Sequence, residues 1–176
     1  MTKAVEDLTV AVTFEEISAM LVDIGEALDA AEIVELSDQQ SWMISFDNEM
    51  ADTIGLDYDT RAGMLRLSGP LGSPPAERRL ATYEYLLGYT MLWPETGGVH
   101  MALDGPGGDI VALYTVALAD LTGDQLGTAL TNFVAMMRAQ QLIVTTGIAD
   151  LDDADAANNA DGASPGFDPR MTNSLA

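Results

Sequence analysis

Cysteine is missing altogether from the 176 residues, and histidine occurs once, as His100. Without thiols, disulfide scaffolds, thiolate nucleophiles and cysteine-ligated zinc or iron–sulfur sites are excluded. Basic residues are scarce as well: seven Lys and Arg stand against 28 Asp and Glu, a formal charge of −21. Nucleic acid and anionic membrane both require a cationic surface, so this balance excludes them as partners and favours a basic one. Long apolar runs are also lacking, with none near the ~20 residues of a membrane span. The opening Met1-Thr2-Lys3-Ala4-Val5-Glu6-Asp7 carries acids where a signal peptide has its basic region. The expectation is a soluble cytoplasmic protein.

What is present is enough for one well-packed domain: 48% of the residues are hydrophobic. Thr13-Phe14-Glu15-Glu16 is a capping box, in which Thr13 and Glu16 satisfy each other's free amides. Phe14, Ile17, Leu21, Ile24 and Leu28 follow at three-four spacing, which predicts a helix over 13–31. The period then falls to two. Trp42, Ile44 and Phe46, then Ile54, Leu56 and Tyr58, then Leu65 and Leu67 each alternate with polar or small residues, predicting a three-strand meander. Ile33-Val34-Glu35-Leu36 adds a possible lead-in strand. Ser73 and Pro74 suit the N-cap and first position of a second helix over 74–92, with Leu80, Tyr83, Leu87 and Met91 on one stripe and Pro94 as its stop. Val99–Leu103 and Ile110–Val116 flank Asp104-Gly105-Pro106-Gly107-Gly108, a hairpin composition. Thr122 and Gln125 repeat the capping box before a last helix to about residue 145.

The predicted fold is therefore α+β: helix, three strands, helix, two strands, helix, with an antiparallel twisted sheet packed by helices in a sandwich. Residues 1–12 are expected to form a flexible N-terminus, 13–145 the domain and 146–176 an acidic disordered tail. Six of the 28 acids lie in that tail and 22 precede it, 20 of them in the domain, so its negative charge is intrinsic.

No catalytic constellation emerges. His100 lies in a predicted strand with no Ser or Asp spacing around it, and a general base needs an oriented partner. Asp150-Leu151-Asp152-Asp153-Ala154-Asp155 lacks the Gly and Glu positions of a calcium loop. The glycines at 105, 107 and 108 precede a strand, not the helix N-terminus that a phosphate cradle uses. No metal site, cofactor or enzyme activity is expected. Ten methionines, together with Tyr83, Tyr85, Tyr89 and Trp93 spread too widely for one buried stripe, suit an adaptable binding surface.

The element order, small size and acidity resemble the class I type III secretion chaperones, the Tir-chaperone family. Ser41-Trp42-Met43-Ile44-Ser45-Phe46-Asp47 is similar to that family's first long strand, and Met64 to Gly72 to its third strand and following loop. Tyr85-Leu86-Leu87-Gly88-Tyr89 resembles its second helix, with Tyr89 where many members have Asn. The resemblance covers residues 12–145. It implies a homodimer in the bacterial cytoplasm, joined through Tyr83, Leu87, Tyr89 and Trp93. It further implies binding, without ATP, of the N-terminal region of a type III secretion effector in extended form, keeping it soluble and secretion-competent. Effector contact is expected at Met20, Trp42, Ile44, Phe46, Ile54 and Leu56, with the opposite strand face as the alternative. The acidity alone also fits a different class, an inhibitor or immunity-type protein masking a basic partner surface.

Overall fold

The alternation of apolar and polar side chains in the middle of the chain decides which face of each strand is buried. In the computed structural model, which describes residues 11–46, 53–92 and 96–146, the order is α1 (Phe14–Gly25), β1 (Ala30–Leu36), a short 3₁₀ turn (Ser37–Gln39), β2 (Ser41–Phe46), β3 (Thr53–Asp59) and β4 (Met64–Gly72). There follow α2 (Arg79–Met91), β5 (His100–Leu103), β6 (Ile110–Ala117) and α3 (Gly123–Thr146). The strands form one antiparallel sheet in the order β1-β2-β3-β4-β6-β5. The expected N-terminal and C-terminal extensions lie almost wholly outside the described residues, as does Trp93.

Register places Trp42 opposite Leu56, Leu56 opposite Leu67 and Leu67 opposite Tyr114, one row crossing four strands. That face also holds Ile44, Ile54 and Leu65, and α1 and α3 cover it with Ile17, Leu21, Leu126, Leu130, Phe133 and Met137, all at most 2% exposed. Burial of each such Leu or Ile contributes roughly 1.5–3 kcal/mol, so this face is where the folding free energy is concentrated. At its α1 end, Phe14 stacks on Trp42 at 4.2 Å between ring centroids, and Tyr58 meets both rings edge-on. Tyr58 also donates its hydroxyl to the Val12 carbonyl at 2.8 Å, fixing the chain just before α1.

Both predicted capping boxes form: Thr13 with Glu16, and Thr122 with Gln125. The first helix, however, ends at Gly25 and not at residue 31. A Cβ on Gly25 would come within 3.0 Å of the Ile33 methyl, so β1 folds back tightly against the helix end, and Asp29 adopts a positive φ of 52° to make the turn. The lead-in strand is consequently a full seven residues, paired along its length with β2. The second helix starts at Arg79 and not at Pro74, because the Ser73 hydroxyl bonds the Asp109 carboxylate and leaves the helix start uncapped by a side chain. The β5–β6 hairpin closes as expected, with Gly107 at φ 73° and Gly108 donating to the Gly105 carbonyl.

Two contacts bind helices to sheet at single residues. Gly69 in β4 lies against α3 so closely that an added Cβ would be 2.3 Å from Met137 Sδ, with Ile54 at 3.3 Å and Phe133 at 3.4 Å also crowding it. Glu35 in β1 accepts from Ser18 of α1 at 2.6 Å and from Ser37 at 2.7 Å, while Trp42 Nε1 donates to the same Ser18 hydroxyl at 3.0 Å. The Ser18 hydrogen bond, seconded by that of Ser37, holds the Glu35 carboxyl below its ordinary 4.5.

Gly69→Ala is expected to cost about 1–3 kcal/mol through overpacking. Combining it with Met137→Ala should cost less than the sum of the two single changes in urea unfolding, because the side chains compete for one space. Glu35→Gln tests the second contact by pH. A carboxyl whose folded pKa is depressed stabilises the fold above its unfolded pKa and loses that effect as pH falls through the folded one. Wild type should therefore exceed Glu35→Gln in thermal midpoint at neutral pH, and the gap should close as the solution is acidified below the ordinary carboxyl range.

Candidate binding surfaces

The second helix has its amphipathicity reversed. Its buried residues are Thr82 and Leu86, whereas Leu80, Leu87 and Met91, at 72%, 67% and 80% exposure, line the outward face. Spacings of seven and four put these three on one stripe. The period that predicts this stripe is real, but the stripe faces solvent and not the core. α2 flanks the β5 edge, where Tyr83, Leu86 and Leu87 meet Met101, Leu103 and Ile110 around an almost wholly apolar cavity of about 170 Å³. Leu92 and Leu103 extend the exposed apolar area. Thr90 accepts from the Met101 amide at 3.1 Å and anchors the helix to the strand.

Of the residues expected at a dimer contact, Leu87 is exposed, and Tyr83 and Tyr89 are half-buried on the same helix. Burial, with Tyr85 beside it, raises the Tyr89 hydroxyl above its ordinary 10 and keeps it neutral. Of the residues expected at effector contact, the structure exposes only one in part. Trp42, Ile44, Phe46, Ile54 and Leu56 are at most 6% exposed beneath α1 and α3, so they are core side chains with no free surface in this conformation. Met20, on α1, is half-buried. The opposite strand face is the accessible one: Met43 and Met64 are exposed, and Ser45, Gly55, Ser68 and Leu113 are partly so. His100 is exposed at the start of β5, opposite Leu113. Among the described residues, no group of three or more His, Asp or Glu is arranged to hold a metal ion, and no helix is long and apolar enough to cross a membrane.

α3 is flanked by three cavities that sequence reasoning missed. Two of about 330 and 470 Å³ lie on its β6 side and one of about 460 Å³ on its α1 side, all bordered by the exposed Asn132. The first two share Tyr114 and Ala129, and the second and third share Asp124 and Thr128. The polar spacing of Asp124, Thr128 and Asn132 at every fourth position marks this α3 face in sequence, but the walls facing it come from α1, α2 and β6, which no local pattern brings together.

The sequence pattern of the Tir chaperone protein (CesT) family matches residues 20–141. No curated protein matches the chain. Among solved structures, a chain of the HopA1–SchA chaperone–effector complex is similar, with a TM-score of 0.56, 19% identity, and coverage of 71% of this chain and 92% of that one. A chain of the ExsC–ExsE complex has a TM-score of 0.61 and 15% identity, covering 78% and 96%. The structure of the Yersinia pestis type III secretion chaperone SycH with a stable fragment of YscM2 gives a TM-score of 0.52 and 18% identity, covering 73% and 99%. At these identities the likeness establishes the fold, and the sequence match covers most of the domain. On that match, with the six-stranded sheet and flanking helices in agreement, the chain belongs to the Tir chaperone protein (CesT) family.

Proposed function

We propose that this protein is a bacterial cytoplasmic chaperone that holds the N-terminal region of a type III secretion effector in extended form, soluble and secretion-competent, without ATP and without catalysis. The observation that carries the reading is the apolar surface left bare by a chain of this family: Leu80, Leu87, Met91 and Leu92 on and after α2, beside Leu103 on β5. A surface of this kind marks a protein contact. Its proposed use is the homodimer, with Leu87 at the centre and Tyr83 and Tyr89 supporting it from the half-buried side. Trp93, outside the described residues, follows the same helix in sequence.

Effector contact is proposed at Met20 and at surfaces resting on the buried row of Trp42, Ile44, Phe46, Ile54 and Leu56. Those five side chains, buried beneath α1 and α3, back the accessible opposite strand face of Met43 and Met64, the alternative location for that contact. Extended peptides bind such frames through strand addition and pockets for alternate side chains. Among the described residues β1 is an edge strand paired with β2, and such an edge offers backbone groups for that purpose.

Light scattering is expected to give a dimer. Leu87→Glu should weaken dimerisation by at least about tenfold while changing monomer stability by no more than about 0.5 kcal/mol, as for an exposed site. Co-expression with the products of neighbouring genes should yield one soluble complex that forms after ATP depletion. That complex should persist at about 1 M salt, where charges are screened within ~3 Å. A monomeric protein that solubilises none of them overturns the reading. A single partner released by salt favours a charge-masking inhibitor in its place.

A further inference from the structure

The domain, residues 13–145, sets five arginines against 20 acids: Arg61, Arg66, Arg78, Arg79 and Arg138. Three of the five are engaged. Arg66 faces Asp59 at 3.8 Å, Arg138 lies over the Phe46 ring at 5.4 Å, and the Arg78 guanidinium donates to the Thr146 carbonyl. Arg61 is exposed in the turn between β3 and β4, at the sheet end where Leu118 donates to the Gly63 carbonyl. Arg79, exposed at the first position of α2, has no hydrogen bond or ion pair among the described residues. A bare guanidinium on such a surface attracts an acidic segment that the surrounding carboxylates repel.

The chain itself delivers one. The Arg78–Thr146 hydrogen bond joins the last residue of α3 to the residue before Arg79, so the sequence after Thr146 leaves the domain at the start of α2. That sequence holds Asp150, Asp152, Asp153 and Asp155. At ~3.3 Å per residue, Asp150 reaches ~13 Å from Thr146 and Asp155 ~30 Å, so all four come within range of Arg79. Arg61 is beyond it, because it lies toward the start of α3 and the 24 residues of that helix span ~36 Å. An exposed ion pair is too weak to recruit a free partner. A segment joined a few residues away, however, has an effective concentration in the mM range. Leu80, next to Arg79, is 72% exposed, and Leu151 stands inside the acidic run, so apolar contact adds to the charge pairing.

We propose that the chain's own segment 150–155 docks on Arg79 at the start of α2 and lies over Leu80, leaving Leu87 and Met91 bare. The contact is formed within one chain and does not depend on the chaperone reading.

Paramagnetic relaxation on the full chain tests it. The sequence has no cysteine, so Ala154→Cys gives a single site for a nitroxide. The isotope-labelled, nitroxide-bearing protein is diluted with excess unlabelled wild type, so that contacts within a chain are read. Broadening is expected at the Leu80 and Tyr83 amides. Covalent attachment alone also keeps the nitroxide near α2, so the deciding reading is its dependence on charge. Arg79→Glu should lower the paramagnetic rate at these amides at least about twofold, and so should ~1 M salt, which screens charges within ~3 Å. Changing the four aspartates to asparagine should lower it likewise, and Arg79→Glu should then change nothing further. Circular dichroism establishes that the variants are folded, and Arg79→Gln decides the matter if the glutamate is not tolerated. A rate unchanged by the Arg79 substitution and by salt is what attachment alone produces, and it overturns the proposal. An effect of Arg79→Glu that persists with the four asparagines overturns it too. So does broadening that appears only when nitroxide and isotope are on different chains, which gives the acidic segment to a second copy. The two readings fail separately: a protein that holds no effector yet shows the charge-dependent rates sinks the chaperone reading alone.

Discussion

One face of one sheet governs this molecule. Trp42, Leu56, Leu67 and Tyr114 stand in register across four strands, and a one-residue slip in any of them would turn its whole apolar set to the other side. Covering that row requires two helices at a fixed distance, and the distance is set by side chains at single points. Gly69 admits Met137 where any Cβ would collide, and Phe14 lies flat on Trp42. Ser18 links Trp42 to Glu35, so α1, β1 and β2 are joined through one hydroxyl. Shifting α1 therefore breaks a stacked ring pair and a charge-assisted hydrogen bond together, and the two constraints hold the same register.

With α1 and α3 spent on the sheet, α2 has little core left to cover. It is held at the β5 edge by Thr82, Leu86 and the Thr90–Met101 hydrogen bond, and its most apolar stripe points outward. Complete burial of each of Leu80, Leu87 and Met91 is worth roughly 1.5–3 kcal/mol. A fold that needed these side chains for its own stability would have turned them inward. Their outward orientation on a stable frame is the physical basis of the proposal that copies of this chain meet at this helix.

The sequence revealed a feature where its cause is local and hid it where the cause is distant. Capping at Thr13–Glu16 and Thr122–Gln125 depends on three-residue spacing, and the strands of 41–46, 53–59 and 64–72 on alternation, so both were legible. The start of α2 was not, because Ser73 finds a better partner in Asp109, 36 residues away. Periodicity also reports that a face is apolar without saying what covers it. For Trp42, Ile44 and Phe46 the cover comes from helices of the same chain, and for Leu80, Leu87 and Met91 from none of the described elements. That is why the strand face was expected at the effector and the structure buries it, and why, of the α2 residues expected at a dimer contact, Leu87 is exposed and Tyr83 and Tyr89 are half-buried. The cavities flanking α3 are the extreme case, since their walls come from four elements far apart in sequence.

Acidity and apolar surface divide the work of recognition between them. A chain with 28 acids and seven bases repels its own copies at long range, which restrains indiscriminate association of bare leucines and methionines. The same field draws in a basic segment and raises its encounter rate, but screened surface charge holds little once contact is made. In the proposed complex, residence would then depend on apolar contact. Salt should accordingly act on how fast a segment arrives far more than on how long it stays.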